Sequence, residues 1–340
     1  MTRAGCCPRL FCAVLFAAAS VGACGGSSGP AGPTPSGDLV ASGSVTDRIA
    51  GGQIDGSTIT FTGPVTRSGT VTNGTYRVDG LTSGLYAVSI DGPQHVPHKT
   101  LGVGVHASSG TFAFEVLVWG AGRFGVTYDE TFHRFFHQLA RVRVSGPSAI
   151  GKWAVPPTEL YLVEGTIPRE QFAVFQSVLA EVNEESVSDM WCGTTEPLRI
   201  VTGPDVVGET TGRIVVRPNW DGSGTGTVGS GTIWAGAVTM NVYVARESRL
   251  RTRESLKSGV LHELFHVAGA YHVCGGGLGE NPFGFSRFNC PFRDSVMANL
   301  GEGPVTRLSP QDRLAACIIY HPGTLPGNTL PDTNPGYVPR

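Results

Sequence analysis

His262-Glu263-Leu264-Phe265-His266-Val267-Ala268-Gly269-Ala270-Tyr271-His272 is the stretch on which the reading of this chain turns. Given the chain's own composition, three His, one Glu and one Gly at these spacings have a chance expectation on the order of 10⁻⁴ or less. At about 100° per residue, His262 and His266 lie about 40° apart around a helix axis and one turn apart along it, so both imidazoles can face one ion. A continued helix would carry His272 roughly 240° away from His266. Gly269 can take a positive φ, end the helix and bring His272 round as a third nitrogen ligand. Glu263 neighbours His262 but is rotated by about 100°, which sets a carboxylate beside the open fourth position of a tetrahedral site. The donor set predicts one catalytic zinc ion, with Glu263 as general base toward a water whose pKa the metal lowers to about 7. A buried structural cluster of histidines would need neither Glu263 nor Gly269.

Around this segment the pattern alternates strand and helix. Leu160–Val163 reads as a strand, and Pro168 then opens a helix whose apolar residues Phe172, Phe175, Leu179 and Val182 step by three and four. A helix after a strand implies a right-handed crossover into a sheet. Further strands are expected over Leu198–Val201, Arg213–Val216, Gly231–Val238 and Met240–Ala245. Near the end, Ser309 as N-cap, Pro310 at N1 and Asp312 at N3 start a helix that runs to Tyr320. The run Gly224–Gly229 is a literal G-x-G-x-x-G with no helix after it, so the dinucleotide fingerprint fails.

HELFHVAGAYH is similar to the HExxHxxGxxH signature of metzincin zinc metallopeptidases, and Asp294-Ser295-Val296-Met297 resembles their Met-turn. The likeness spans Pro157 to His321. It implies a multidomain chain in which an all-β sandwich precedes an α+β catalytic domain with a twisted mixed sheet, a zinc helix, a Met-turn and a C-terminal helix. It further implies that Met297 forms an apolar floor beneath the three His, that Gly231–Val238 is an edge strand pairing with an extended polypeptide, and that Ala298–Pro304 lines a pocket beyond the scissile bond. Val273, after the third His, matches none of the residues common there in the known subfamilies. Ala298-Asn299-Leu300 supplies no Tyr ligand after Met297, which implies three His plus water, and no Cys has the neighbours of a latency switch.

The N-terminus carries an export pattern. Arg3 and Arg9 precede the apolar run Leu10–Ala19, which is too short to span a membrane. Val21-Gly22-Ala23-Cys24 resembles a bacterial lipobox, with residues 1–23 as signal peptide and Cys24 as the lipidated first residue of the mature chain; plain secretion after Ala23 is the alternative. Residues 24–37 are a Gly/Ser/Pro tether. Once Cys6, Cys7, Cys12 and Cys24 are set aside, Cys192, Cys274, Cys290 and Cys317 remain, an even set that reads as two disulfides in an exported protein. Of three connectivities, Cys274 with Cys290 and Cys192 with Cys317 is favoured, because the first pair closes a Gly-rich loop.

Residues 38–118 show short β-rich segments between Gly-marked turns, the pattern of a two-sheet sandwich. Tyr76-x-Val78-x-Gly80-Leu81-x3-Gly84-x-Tyr86-x-Val88 resembles the transthyretin-like regulatory domain of carboxypeptidases, which implies a spacer or binding role. His95 and His98, on a Pro-containing loop, are expected to face solvent rather than a metal. Residues 119–156 form a linker with an amphipathic helix in which His133 and His137 share a face but lack a following Glu, so packing is expected of them. Residues 157–323 make the catalytic domain and 324–340 a tail.

Composition narrows the partners. Only 15% of the 340 residues are charged and the net charge is -2, so no basic field exists to recruit nucleic acid. The expectation is a surface-displayed zinc metalloendopeptidase acting on polypeptide as a monomer and touching the membrane only through its lipid anchor. The alternative is a surface binding or adhesion lipoprotein with a vestigial metal site.

Overall fold

The computed structural model describes residues 38–107, 110–140, 153, 155–205, 212–219, 237–243, 252–274, 289–298 and 303–321. The signal, lipobox, tether and tail assigned above lie outside these residues. So do the G-x-G-x-x-G run and most of the substrate-strand and pocket assignments. No helix among the described residues is long and apolar enough to cross a membrane.

The first part is built from seven strands: β1 (Leu39–Asp47), β2 (Thr58–Thr62), β3 (Thr66–Thr70), β4 (Thr75–Leu81), β5 (Gly84–Asp91), β6 (His98–Val105) and β7 (Thr111–Val116). They form two sheets, ordered β4-β1-β7 and β3-β2-β5-β6. Alternation explains the layering: Ile59 and Phe61 on β2, Tyr76 and Val78 on β4, and Tyr86, Val88 and Ile90 on β5 all enter one apolar cluster, while the residues between them face outward. β1 runs antiparallel to β4 and parallel to β7, and Gly43 is needed there because a Cβ would stand 1.7 Å from the Phe112 carbonyl oxygen. Tyr86 closes a corner, its hydroxyl donating to Thr82 O at 2.9 Å and accepting from Thr82 N at 3.1 Å.

One expectation fails here. His95 and His98 are buried, not solvent-exposed. His95 Nε2 pairs with Ser57 Oγ at 2.9 Å and its Nδ1 with Val96 O at 2.8 Å, while His98 opens β6 and bonds Thr100 Oγ1 at 2.7 Å. The loop is drawn inward because Val96, between the two, belongs to the main apolar core.

A small hairpin, β8 (Gly122–Arg123) and β9 (Val126–Thr127), leads into α1 (Glu130–Ala140), whose Phe132, Phe135, Phe136 and Leu139 are fully buried as their spacing requires. A further, four-stranded sheet follows, from β10 (Glu159–Val163), β11 (Arg199–Gly203), β12 (Arg213–Asn219) and β13 (Ala237–Tyr243), ordered β11-β10-β12-β13. α2 (Arg169–Met190) makes the crossover from β10 to β11. All described pairings in this sheet are parallel, whereas a mixed sheet was expected. β13 also runs unbroken across Thr239, where the sequence suggested a division between two strands, so Ala237 and Val238 belong to one strand with Met240, parallel to β12 and last in the order of the described strands.

Leu160, Leu162, Ile214 and Val216 turn one face of the sheet into the main core with α2, α3 (Arg253–Val267) and α4 (Pro310–Ile319). Tyr161, Val163 and Val215 form a separate cluster on the other face, with Arg213 over the Tyr161 ring and paired to Glu159. Cys192 is bonded to Cys317, tying the end of α2 to α4, and Cys274 to Cys290. The molecule is thus a mixed, multidomain α/β fold with two disulfides.

Candidate metal centre

α3 supplies the first two histidines. Thr252 caps it, its Oγ1 accepting from Ser255 N at 3.1 Å, and Lys257 anchors its flank to α2 through Glu181 Oε1 at 2.6 Å and Glu185 Oε2 at 2.7 Å. The helix ends as Gly269 permits: φ there is 102°, Ala270 N donates back to Phe265 O at 3.1 Å and Gly269 N to His266 O at 2.9 Å. This is the two-bond closure of a Schellman motif, and it reverses the chain within three residues of His272. The same reversal aims His266, whose Nδ1 donates to Ala270 O at 2.7 Å.

The three imidazoles converge. His262 Nε2 lies 3.0 Å and His266 Nε2 3.1 Å from His272 Nε2, and the three residues form a cluster able to hold one ion. His262 Nδ1 donates to Val296 O at 2.7 Å. With both Nδ1 protons committed to carbonyls, Nε2 of His262 and of His266 present lone pairs, and one proton on His272 cannot satisfy both. Three lone pairs about a common point are the donor set of a metal; bonds of about 2.0–2.1 Å at tetrahedral angles place neighbouring ligand atoms about 3.3 Å apart. Burial holds His262 down at about 4 and His266 at about 3, and lowers His272 as well, so all three are neutral imidazoles at neutral pH.

Glu263 is buried beside this cluster and burial pushes its carboxyl up to about 8. Its Oε2 has no hydrogen-bond partner among the described residues. Burial without a donor holds such a carboxyl as the neutral acid near neutral pH, and a positive ion nearby would favour the carboxylate form that a general base requires. The three imidazoles therefore fit a metal ion.

Behind the ligands stands the turn ending at Met297, which is fully buried. Asp312, at the start of α4, accepts from Ser295 Oγ at 2.6 Å and Val296 N at 3.0 Å, while also closing a capping box with Ser309. Burial pushes its carboxyl up to about 6, with the bonds from Ser295, Val296 and Ser309 working the other way. Asp312 thus holds, through its N–H, the residue whose carbonyl orients His262. Sequence reasoning gave Asp312 only its helix-capping role, because nothing local signals a contact made across the fold. His133 and His137 stay apart from the cluster: they are buried with ring centroids 4.3 Å apart, and His133 Nδ1 pairs with Tyr128 Oη at 2.6 Å.

No protein-family profile and no curated protein matches the chain. Among solved structures, one of myroilysin aligns at 16% identity and a TM-score of 0.30 over 54% of this chain and 92% of its own; a second gives 15% and 0.30 over 50% and 82%. A structure described as that of a carbohydrate-binding protein from Bacteroides uniformis aligns at 20% identity and a TM-score of 0.22; the match covers 24% of this chain and 42% of that one.

Proposed function

We propose that the chain is a zinc-dependent metalloendopeptidase of metzincin type. The observation that carries this is the convergence of three Nε2 atoms, with Glu263, whose buried Oε2 has no hydrogen-bond partner among the described residues, next to His262 on the same helix. His262, His266 and His272 would hold the ion. The chemistry zinc supplies in such a site is Lewis acidity toward water and toward a peptide carbonyl. Glu263, in the carboxylate form that a neighbouring cation favours, takes a proton from water and returns it to the leaving amine. Val296 O and Ala270 O keep the proton of two imidazoles on Nδ1, so the ligand atoms stay free. Polypeptide is the substrate in this reading, and the chain acts as a monomer exported to the bacterial envelope and anchored through Cys24. The two disulfides support an oxidising compartment.

The test is metal content together with cleavage of an unbiased peptide library by membrane-extracted protein, whose intact mass also reads out lipid on Cys24. One zinc per chain with chelator-sensitive cuts is expected. Glu263→Ala keeps the zinc and loses turnover by at least ~10²-fold, since general-base catalysis contributes about 10²–10⁴-fold; His266→Ala loses the metal. Peptidase activity persisting in Glu263→Ala would falsify the role given to this residue. Bound zinc with no cleavage of any peptide would turn the reading toward a binding protein with a vestigial site.

A further inference from the structure

We propose that Gln138 is a positioning residue of the metal centre, reaching from α1 to fix the loop that presents His272. The inference rests on the metal-binding part of the function proposed above. It concerns a residue well outside the HELFHVAGAYH motif.

His262 and His266 are held by a helix, but His272 is not. It follows the chain reversal at Gly269 and stands on a loop, where a ligand keeps its place only if the backbone on either side is tied down. The structure supplies those ties in alternation. Tyr271 N, just before His272, donates to Leu139 O at 2.8 Å. Val273 N, just after it, donates to Met297 O at 3.1 Å. Cys274 N donates to Gln138 Oε1 at 3.2 Å. The first and last come from adjacent residues in the final turn of α1, so this helix end clasps His272 from both sides.

Two further facts make the clasp specific. Leu139 O is one of the last carbonyls of α1 and takes no donor from the described residues of its own helix, which leaves it to Tyr271. Cys274 has φ of 58°, a left-handed conformation that a residue with a Cβ keeps only when its neighbours hold it there. Its holders are the bridge to Cys290 and the bond to Gln138. The clasp is also built on rigid ground: Phe132, Phe135, Phe136 and Leu139 are at most 1% exposed, and Asp129 Oδ1 accepts from Phe132 N at 2.8 Å at the other end of the helix.

The bond from Gln138 is a side-chain bond, so it can be removed without altering the backbone. Gln138→Met keeps the length and loses the acceptor; Gln138→Glu keeps an oxygen at the same reach. The measurement is zinc affinity of the full chain by competition with a chromophoric chelator, with thermal melting of the metal-free protein alongside. Groups that orient metal ligands typically carry 10–100-fold in affinity. Gln138→Met is expected to bind zinc at least ~10-fold more weakly, and Gln138→Glu to stay within ~3-fold of the unaltered chain. Equal affinity in Gln138→Met, whatever its melting temperature, overturns the proposal, as does an equal loss in both variants. If Gln138→Met does not fold, Gln138→Ala, which lets water reach Cys274 N, carries the same comparison. Failure of the underlying reading looks different: the unaltered chain then takes up no zinc at all.

Discussion

Tyr320 illustrates what a single residue does for the metal helix. α3 ends with two carbonyls turned into the core, and both are met from far along the chain: Tyr320 Oη donates to Ala268 O at 2.6 Å and Trp153 Nε1 to Val267 O at 2.8 Å. Burial also raises the Tyr320 hydroxyl above its ordinary value, so it stays a donor. Tyr320→Phe keeps the ring and removes that donor, leaving a buried acceptor unsatisfied. The expected cost is about 1–3 kcal/mol, read as a shift of the urea midpoint at unchanged slope. A midpoint within error of the unaltered chain would show that water reaches Ala268 O. Neither cap was legible in the sequence, because each depends on a residue distant along the chain. The convergence of His262, His266 and His272 and the turn at Gly269 were legible, because helical period and glycine conformation are local matters. His95 and His98 misled for the opposite reason: a Pro-bearing loop reads as surface, and only the burial of Val96 brings it inside.

Among elements, legibility followed alternation. β2, β4, β5 and β7 could be read because one face of each is apolar, whereas β3 buries no residue and its TRSGT carries no period to detect. β1 and β6 are diluted by glycine and small polar residues in the same way. α4 was readable from its cap, but its link to the Met297 turn was not. Asp312 serves both, and a side chain without oxygens cannot. In Asp312→Ala, Val296 N and Ser309 N lose the Oδ2 that now accepts from them at 3.0 Å and 3.1 Å, and these two backbone donors cannot turn away. The expected loss is about 2–4 kcal/mol, from two unsatisfied buried donors, against about 1 kcal/mol for Ser309→Ala, which removes the cap alone. Since Val296 O orients His262, zinc affinity should fall in Asp312→Ala and hold in Ser309→Ala. Equal stabilities for the two variants would reduce Asp312 to a helix cap.

At the scale of the molecule, one apolar core crosses the divisions drawn from the sequence. Ile49, Val96 and Leu117 of the first part share a cluster with α1, α2, α3 and α4, and Glu115 of β7 pairs with His321 beyond α4 at 2.9 Å. Composition and turn spacing separate the strand-rich half from the helical half, but cannot show that their apolar residues meet. A shared core predicts shared unfolding. The Cys192–Cys317 bridge gives a way to test this, because it lies wholly in the helical half and closes 125 residues of chain. By loop entropy its loss costs about 5 kcal/mol, against about 3 kcal/mol for the 16-residue separation of Cys274 and Cys290. All five tryptophans lie at position 119 or later, so their fluorescence follows the helical half alone, while hydrogen exchange in β2 and β5 follows the sandwich. In the Cys192→Ala, Cys317→Ala double variant both probes should shift to the same lower denaturant midpoint. If the strands keep their original midpoint while the fluorescence transition moves, the two halves fold independently, and the contacts of Ile49, Val96 and Leu117 do not couple them.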